Sequence, residues 1–132
     1  MTSPLTVALV AASSAVDTDW TAKLIDVSPD GYARNVQEGI VRASHRIAGA
    51  VPTPIEPGKT YEYTIDLWAA SNVFLAGHRI RLEISSSNFP HWNRNLNSGE
   101  PLATGQQIVI AQQTVFHDSL HASHIMLPVI DQ

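Results

Sequence analysis

Cysteine is absent from this chain, and so are basic clusters and long apolar runs. With no cysteine among 132 residues there is no disulfide framework, no thiolate zinc site and no cysteine nucleophile. No apolar stretch approaches the ~20 residues that a membrane-spanning helix requires. Eight basic residues stand against twelve acidic ones, a net charge of −4, with nothing resembling the basic footprint of a nucleic-acid binder. Neither a nucleic-acid nor a membrane partner is therefore expected. What is present is an ordinary globular balance, 44% hydrophobic and 15% charged, in a length that fits one domain over residues 1–132. A domain of this size buries ~70% of the surface its unfolded chain exposes. The opening MTSPLTVALVAASSA has the apolar and small residues of a signal peptide but no Lys or Arg ahead of them, so a buried strand is the better reading. A cytoplasmic location goes with it.

The dominant period is two. Tyr61, Tyr63, Ile65 and Leu67 alternate with Thr60, Glu62, Thr64 and Asp66, and Ile80, Leu82 and Ile84 alternate with Arg79, Arg81, Glu83 and Ser85. Such alternation belongs to strands with one face on a core and one toward water. Leu5–Ala12 is apolar on both faces and reads as a strand covered on both sides. Asp17–Val27, Val36–Arg46, Gln107–Phe116 and His124–Ile130 bring the set to about seven strands. Ser28-Pro29-Asp30-Gly31 has the chemistry of a chain reversal, and three prolines between Gly49 and Gly58 predict an extended surface loop. Asn88–Gly105 is irregular, and only Ala69–Leu75 could support a helical turn. The fold class is all-β, a β-sandwich.

Motifs of catalysis are missing. Twelve serines are present, none within a G-x-S-x-G, and no glycine loop could cradle a phosphate. His117, His121 and His124 have the spacing of metal ligands on a helix, but they lie between two expected strands, where a hairpin loop would make that spacing meaningless. His45 and His78 read as surface or hydrogen-bonded histidines. No metal and no cofactor are expected. Asp17 and Asp19 share a strand face and form the best acidic pair. They could hold calcium, or pair with Lys23 or an arginine, which is the commoner use. Trp20, Trp68 and Trp92 with Tyr32, Tyr61 and Tyr63 could stack on sugar rings, although strand aromatics more often pack a core. Trp92 lies in the Asn-rich segment Asn88–Gly99, where Asn88 and Asn95 can bond local backbone and Arg94 can bridge several carbonyls or a carboxylate.

Several blocks occur in a recognisable order: Asp17-Thr18-Asp19-Trp20, Lys23–Val27, Pro29-Asp30-Gly31, Glu38–Arg42, Ala70–Leu75 with Gly77–Ile80, Ile84–Pro90, Arg94-Asn95-x-Asn97-x-Gly99 and Ser123–Pro128. Together they resemble the C-terminal jelly-roll domain of the cocaine-esterase and X-Pro dipeptidyl-peptidase group of serine hydrolases. Ala76 and Ala122 depart from it, standing where the family often has Pro before Gly and before Ser.

The resemblance implies a galactose-binding-like jelly roll whose partner is an α/β-hydrolase domain holding the serine, aspartate and histidine. None of that triad maps here, so no catalytic residue is carried over. It also implies that the chain starts part-way through the family's domain, which would leave an unpaired edge and a marginal, dimeric or aggregation-prone polypeptide. Asp17, Asp19, Trp20, Asn88, Trp92, Arg94 and Asn95 are the structural or interface candidates. The function expected is that of a non-catalytic sandwich supporting an esterase or peptidase; the alternative is a stand-alone carbohydrate-binding module using Trp92.

Overall fold

The period-two segments fold as strands, and the computed structural model describes residues 2–130. Among them are β1 (Thr2–Ser13), β2 (Asp19–Val27), β3 (Ala33–Arg42), β4 (Thr60–Ser71), β5 (Arg79–Ser85), β6 (Gln113–Phe116) and β7 (His124–Met126), with one 3₁₀ turn at Ala43–His45. All pairings are antiparallel. One sheet runs β4-β1-β6, with β7 also on β1; the other runs β3-β2-β5. No described helix is long and apolar enough to cross a membrane.

The two sheets face each other across a core built by alternation. Leu5, Val7, Leu9 and Ala11 of β1, Trp20, Ala22 and Leu24 of β2, and Tyr63, Ile65 and Leu67 of β4 are all buried. Ala43 and Ile55 close one end, the second delivered by the proline-rich loop, whose Ile55 N–H donates to Val16 O at 2.9 Å. As a central strand, β2 is buried on both faces. Its hairpin to β3 uses the expected turn, with Gly31 at φ +90°, a conformation that a Cβ disfavours.

Two bulges adjust the ladders. Val36 is the extra residue on β3, inserted between the pairs Leu24–Gln37 and Ile25–Asn35. On β4, Leu67 and Trp68 lie opposite the single residue Leu5, and Trp68 adopts φ +62° with its N–H on Asp66 Oδ1 at 2.7 Å. Beside this bulge the sheets come close. A Cβ on Gly39 of β3 would lie 2.1 Å from Asp66 O. Gln37 Nε2 donates to Ala69 O at 3.1 Å and Arg34 Nη2 to Asn72 Oδ1 at 2.6 Å, so β3 stitches the outer edge of β4.

Three expected elements are corrected. The strand expected over Gln107–Phe116 is confined to Gln113–Phe116, because Val109 bonds Leu96 O and the Asn97 amide rather than a neighbouring strand. The one expected over His124–Ile130 ends at Met126. No helical turn forms over Ala69–Leu75: β4 continues to Ser71, and the chain reverses between Leu75 and His78 with Gly77 at φ +83°.

The segment between β6 and β7 is not a hairpin either. Both strands run the same way along one edge of β1, so residues 117–123 are an excursion from an interrupted strand. Ser123 spans the gap, its hydroxyl accepting from Val10 N–H at 2.9 Å and donating to Phe116 O.

Replacing Gly39 by alanine should lower stability by about 1–3 kcal/mol or more, since backbone rather than a flexible side chain must yield. A thermal melt indistinguishable from the parent would show that the two strands can separate freely at that point.

Candidate functional site

Burial of β2 on both faces forces its outward carboxylates to find partners, because an unpaired charge in that setting is costly. Asp19 is 2% exposed and is directly opposite Arg42 of β3. The guanidinium reaches it with two donors, Nε to Oδ1 at 2.9 Å and Nη2 to Oδ2 at 3.3 Å. That hydrogen bond holds Arg42 above its ordinary pKa, against the opposing effect of burial. Asn95 Nδ2 donates to Asp19 Oδ1 at 2.9 Å and to Asp17 Oδ2 at 3.3 Å. The other oxygen of Asp17 accepts the Ser44 N–H at 2.9 Å, at the 3₁₀ turn. Asn95 Oδ1 in turn accepts the Asn97 N–H at 2.9 Å, and the Asn97 amide holds Val109 O. One buried carboxylate pair thus fixes β3, the 3₁₀ turn and the irregular Asn-rich segment against β2.

The segment is tied at its other end as well. Asn88 Nδ2 donates to Glu38 Oε2 at 2.8 Å, and Lys23 approaches the same carboxylate at 4.0 Å. Between these anchors Trp92 is half-buried, with its ring centroid 4.2 Å from that of His91, edge to face. It lines a shallow depression of about 280 Å³ together with Asp19, Ile40, Arg42, Asn93 and Leu102. Trp20 lies elsewhere, in the core, 6.0 Å from the Tyr63 ring, and burial pushes the Tyr63 phenol up. Tyr32 and Trp68 are exposed on other parts of the surface.

Of the residues singled out in the sequence, Asp17, Asp19 and Asn95 come together directly, Asn88 joins at the far end of the same loop, and Trp92 flanks them. Arg94 does not take the role expected of it. Its side chain is exposed and no partner for it is found among the described residues, because Arg42 already occupies the position beside the carboxylates. Among the described residues no group of three or more His, Asp or Glu is arranged to hold a metal. His121 Nδ1 donates to Asp118, holding that carboxyl below its ordinary range, while His124 Nδ1 donates to Ala122 O at 2.6 Å.

A second polar cluster joins two residues that the sequence reading kept apart, Asp26 as an acid downstream of the Asp17–Asp19 pair and His78 as a surface or hydrogen-bonded histidine. Asp26, 4% exposed, accepts from His78 Nδ1 at 2.7 Å and from Arg34 Nη2 at 3.2 Å. Its signal in the sequence was an acid within a strand otherwise apolar at that end. The His78 bond lowers the Asp26 pKa most; burial opposes it and Arg34 adds to it.

Neither cluster presents a nucleophile, and comparison with known proteins agrees. Residues 4–126 match the model of the X-Pro dipeptidyl-peptidase C-terminal non-catalytic domain. The chain belongs to that family. It is 48% identical, over 98% of its length, to cocaine esterase from Rhodococcus sp. (strain MB1 Bresler), of which it covers 23%. Among solved structures it superposes with TM-score 0.92 and 32% identity on an aminopeptidase from the marine sediment archaeon Thaumarchaeota archaeon, covering 98% of this chain and 23% of that one. An α-amino acid ester hydrolase gives TM-score 0.91 and 30% identity, with 96% and 23% covered. The chain therefore spans about a quarter of the length of these relatives, and within the family it is the non-catalytic C-terminal β-sandwich.

For this X-Pro dipeptidyl-peptidase-type domain, Asp19→Ala should cost about 3 kcal/mol by leaving Arg42 unpaired, whereas Arg94→Ala should change stability by no more than ~0.5 kcal/mol. Chemical denaturation of the two variants side by side decides it, and equal losses would mean that Arg94 has a structural partner after all. A separate outcome concerns acid. Because the Asp26 pKa is lowered by folding, its stabilisation is complete above the ordinary carboxylate range and is lost as pH falls through the depressed folded value. Melting curves from pH 7 downward should show parent and Asp26→Asn well separated at neutral pH and converging only below that range. A gap that stays constant into strong acid would contradict the assignment.

Proposed function

We propose that this domain is carried by a polypeptide that also contains an α/β-hydrolase domain, and that its work is to brace that domain and shape its entrance. The reaction of the whole protein would be acyl transfer from an ester or an amide to water through a serine acyl-enzyme. What supports this reading is the family match over residues 4–126 together with relatives, named as an esterase, an ester hydrolase and an aminopeptidase, that are about four times as long. The chemistry of the polar clusters is consistent with it. Asp17, Asp19 and Asp26 are each occupied by arginine, asparagine, histidine or backbone donors, which leaves none of them free to act as a general base. The sandwich also offers exposed strand edges through which copies of the protein can associate.

A domain exchange tests the proposal. Substituting this chain for the matching C-terminal quarter of the Rhodococcus cocaine esterase should give a folded hydrolase that retains ester cleavage, while the chain alone should hydrolyse p-nitrophenyl esters no faster than buffer. A folded chimera without activity, or turnover by the isolated chain, would overturn it.

A further inference from the structure

The two sheets turn different outer faces to their surroundings. In the β3-β2-β5 sheet the outward row of β2 holds Asp19 and Lys23, and the chain covers that face itself. Asn95 lies on Asp19, and Asn88 lies on Glu38, which is opposite Lys23. The outer face of the other sheet has no such cover among the described residues: Thr6, Ala8 and Val10 stay partly exposed and Glu62 and Thr64 fully so. Its middle is formed by β1, paired with β4 along one side and with β6 and β7 along the other. Strands added at the margins of the sheet would leave that middle as it is.

Because Leu5, Val7, Leu9 and Ala11 point into the core, Thr6, Ala8, Val10 and Ala12 point away from it. None of these four is charged, and all but Thr6 are apolar. An antiparallel sheet with one wet face alternates apolar with polar residues, and β1 does not. The register places Thr64 and His124 beside Ala8, Glu62 and Phe116 beside Val10, and Asp66 and Met126 beside Thr6. The face is therefore low and apolar along its middle and acidic along β4. At one end Ala12, Thr114, Phe116 and Pro57 line a depression of about 430 Å³.

We infer that the α/β-hydrolase domain of the same polypeptide docks on this face, with an apolar surface over Ala8 and Val10 and a basic group at the β4 margin. The inference rests on the proposed function, which supplies that domain. More than three quarters of each relative lies outside the part that this chain matches, ample for such an occupant. Charge gives the occupant its character. Glu62 has no hydrogen-bond or ion-pair partner among the described residues, and the Asp66 carboxylate holds only the Trp68 N–H. No lysine or arginine occupies a ladder position on this face, so a second copy seated there would bring acids to the contact and no base to meet them.

Photo-crosslinking in the chimera with the Rhodococcus cocaine esterase tests it. A benzophenone amino acid in place of Thr64, exposed beside Ala8, should attach on irradiation to peptides of the hydrolase domain. Ala8→Arg, which sets a long cation in the middle of the face, should reduce that adduct several-fold. Carbodiimide labelling of the same samples reports whether the sandwich is intact, since Asp19 and Asp26 are buried and paired and should stay unlabelled in both. Adducts to a second copy, or to chain outside the hydrolase domain, would overturn the inference. So would the absence of any adduct while Asp19 and Asp26 remain protected, or a full adduct in an intact Ala8→Arg variant. Ester cleavage reports on the proposed function separately: turnover without hydrolase-domain adducts refutes the docking face alone.

Discussion

A carboxylate that is out of water must be paired, and the arrangement of this domain follows from that constraint on β2. The strand is buried on both faces, yet Asp19 and Asp26 lie within it and Asp17 just before it. Asp19 consequently recruits Arg42 from β3 and Asn95 from the irregular segment, Asp17 recruits the backbone of the 3₁₀ turn, and Asp26 recruits Arg34 and His78. Replacing such a set by packed hydrophobic residues is often neutral for stability. What the polar set supplies here is position. Asn95 cannot satisfy both aspartates unless the chain on either side of it follows one path, and Asn97 and Asn88 extend that path from Val109 to Glu38.

The sandwich divides along its length into a stitched side and an open one. Gly39 permits β3 to approach the backbone of Asp66, and the Gln37 and Arg34 side chains then occupy hydrogen-bonding groups at the outer edge of β4. Among the described residues the opposite side has no equivalent. There the interrupted strand formed by β6 and β7 is held to β1 with the help of the Ser123 hydroxyl, and β5 ends its sheet with apolar side chains in water. The stitched side also carries backbone strain: Trp68 adopts a left-handed conformation at the β4 bulge, whereas the other described non-glycine residue with positive φ, Asn97, is of a type that tolerates it.

Strand existence was readable because alternation is a local property. Ile80-Leu82-Ile84 and Tyr63-Ile65-Leu67 state their face without reference to anything distant, and Ser28-Pro29-Asp30-Gly31 states its turn. Strand extent was not, because a strand ends where its neighbour ends. Gln107–Gln112 has the composition of a strand but lies beyond the end of β1 at Ser13: Gln112 still bonds Ser14, and farther back Val109 bonds Leu96 and the Asn97 amide instead. The same reasoning separates Arg94 from Arg42. Both are arginines near candidate partners in sequence, and only the pairing register of β2 with β3 brings Arg42 opposite Asp19. Asn88 and Asn95 were legible as loop-forming residues, but their partners, fifty or more positions away, were not. The Asp26–His78 pair, spanning 52 positions, was likewise invisible from either end.

That pair also shows why the ingredients of catalysis do not amount to it. A carboxylate accepting from an imidazole Nδ1 is the orienting half of a serine hydrolase triad. In this domain the other oxygen of the carboxylate is engaged by Arg34, which is itself bound to Asn72, so the assembly is directed into the sandwich as a brace between β2, β3 and the loop before β5. Ser28, on a turn whose Pro29 approaches Gly77, gives its hydroxyl to Asp30 rather than to the imidazole. A triad needs its nucleophile on a strained turn at the mouth of a cleft, with donors aimed at the developing oxyanion. Here the acid and the histidine are used where their hydrogen bonds are satisfied in the ground state. Only an interaction that strengthens on the way to the transition state accelerates a reaction, and the Asp26–His78 pair has no hydroxyl nucleophile on its imidazole through which it could do so.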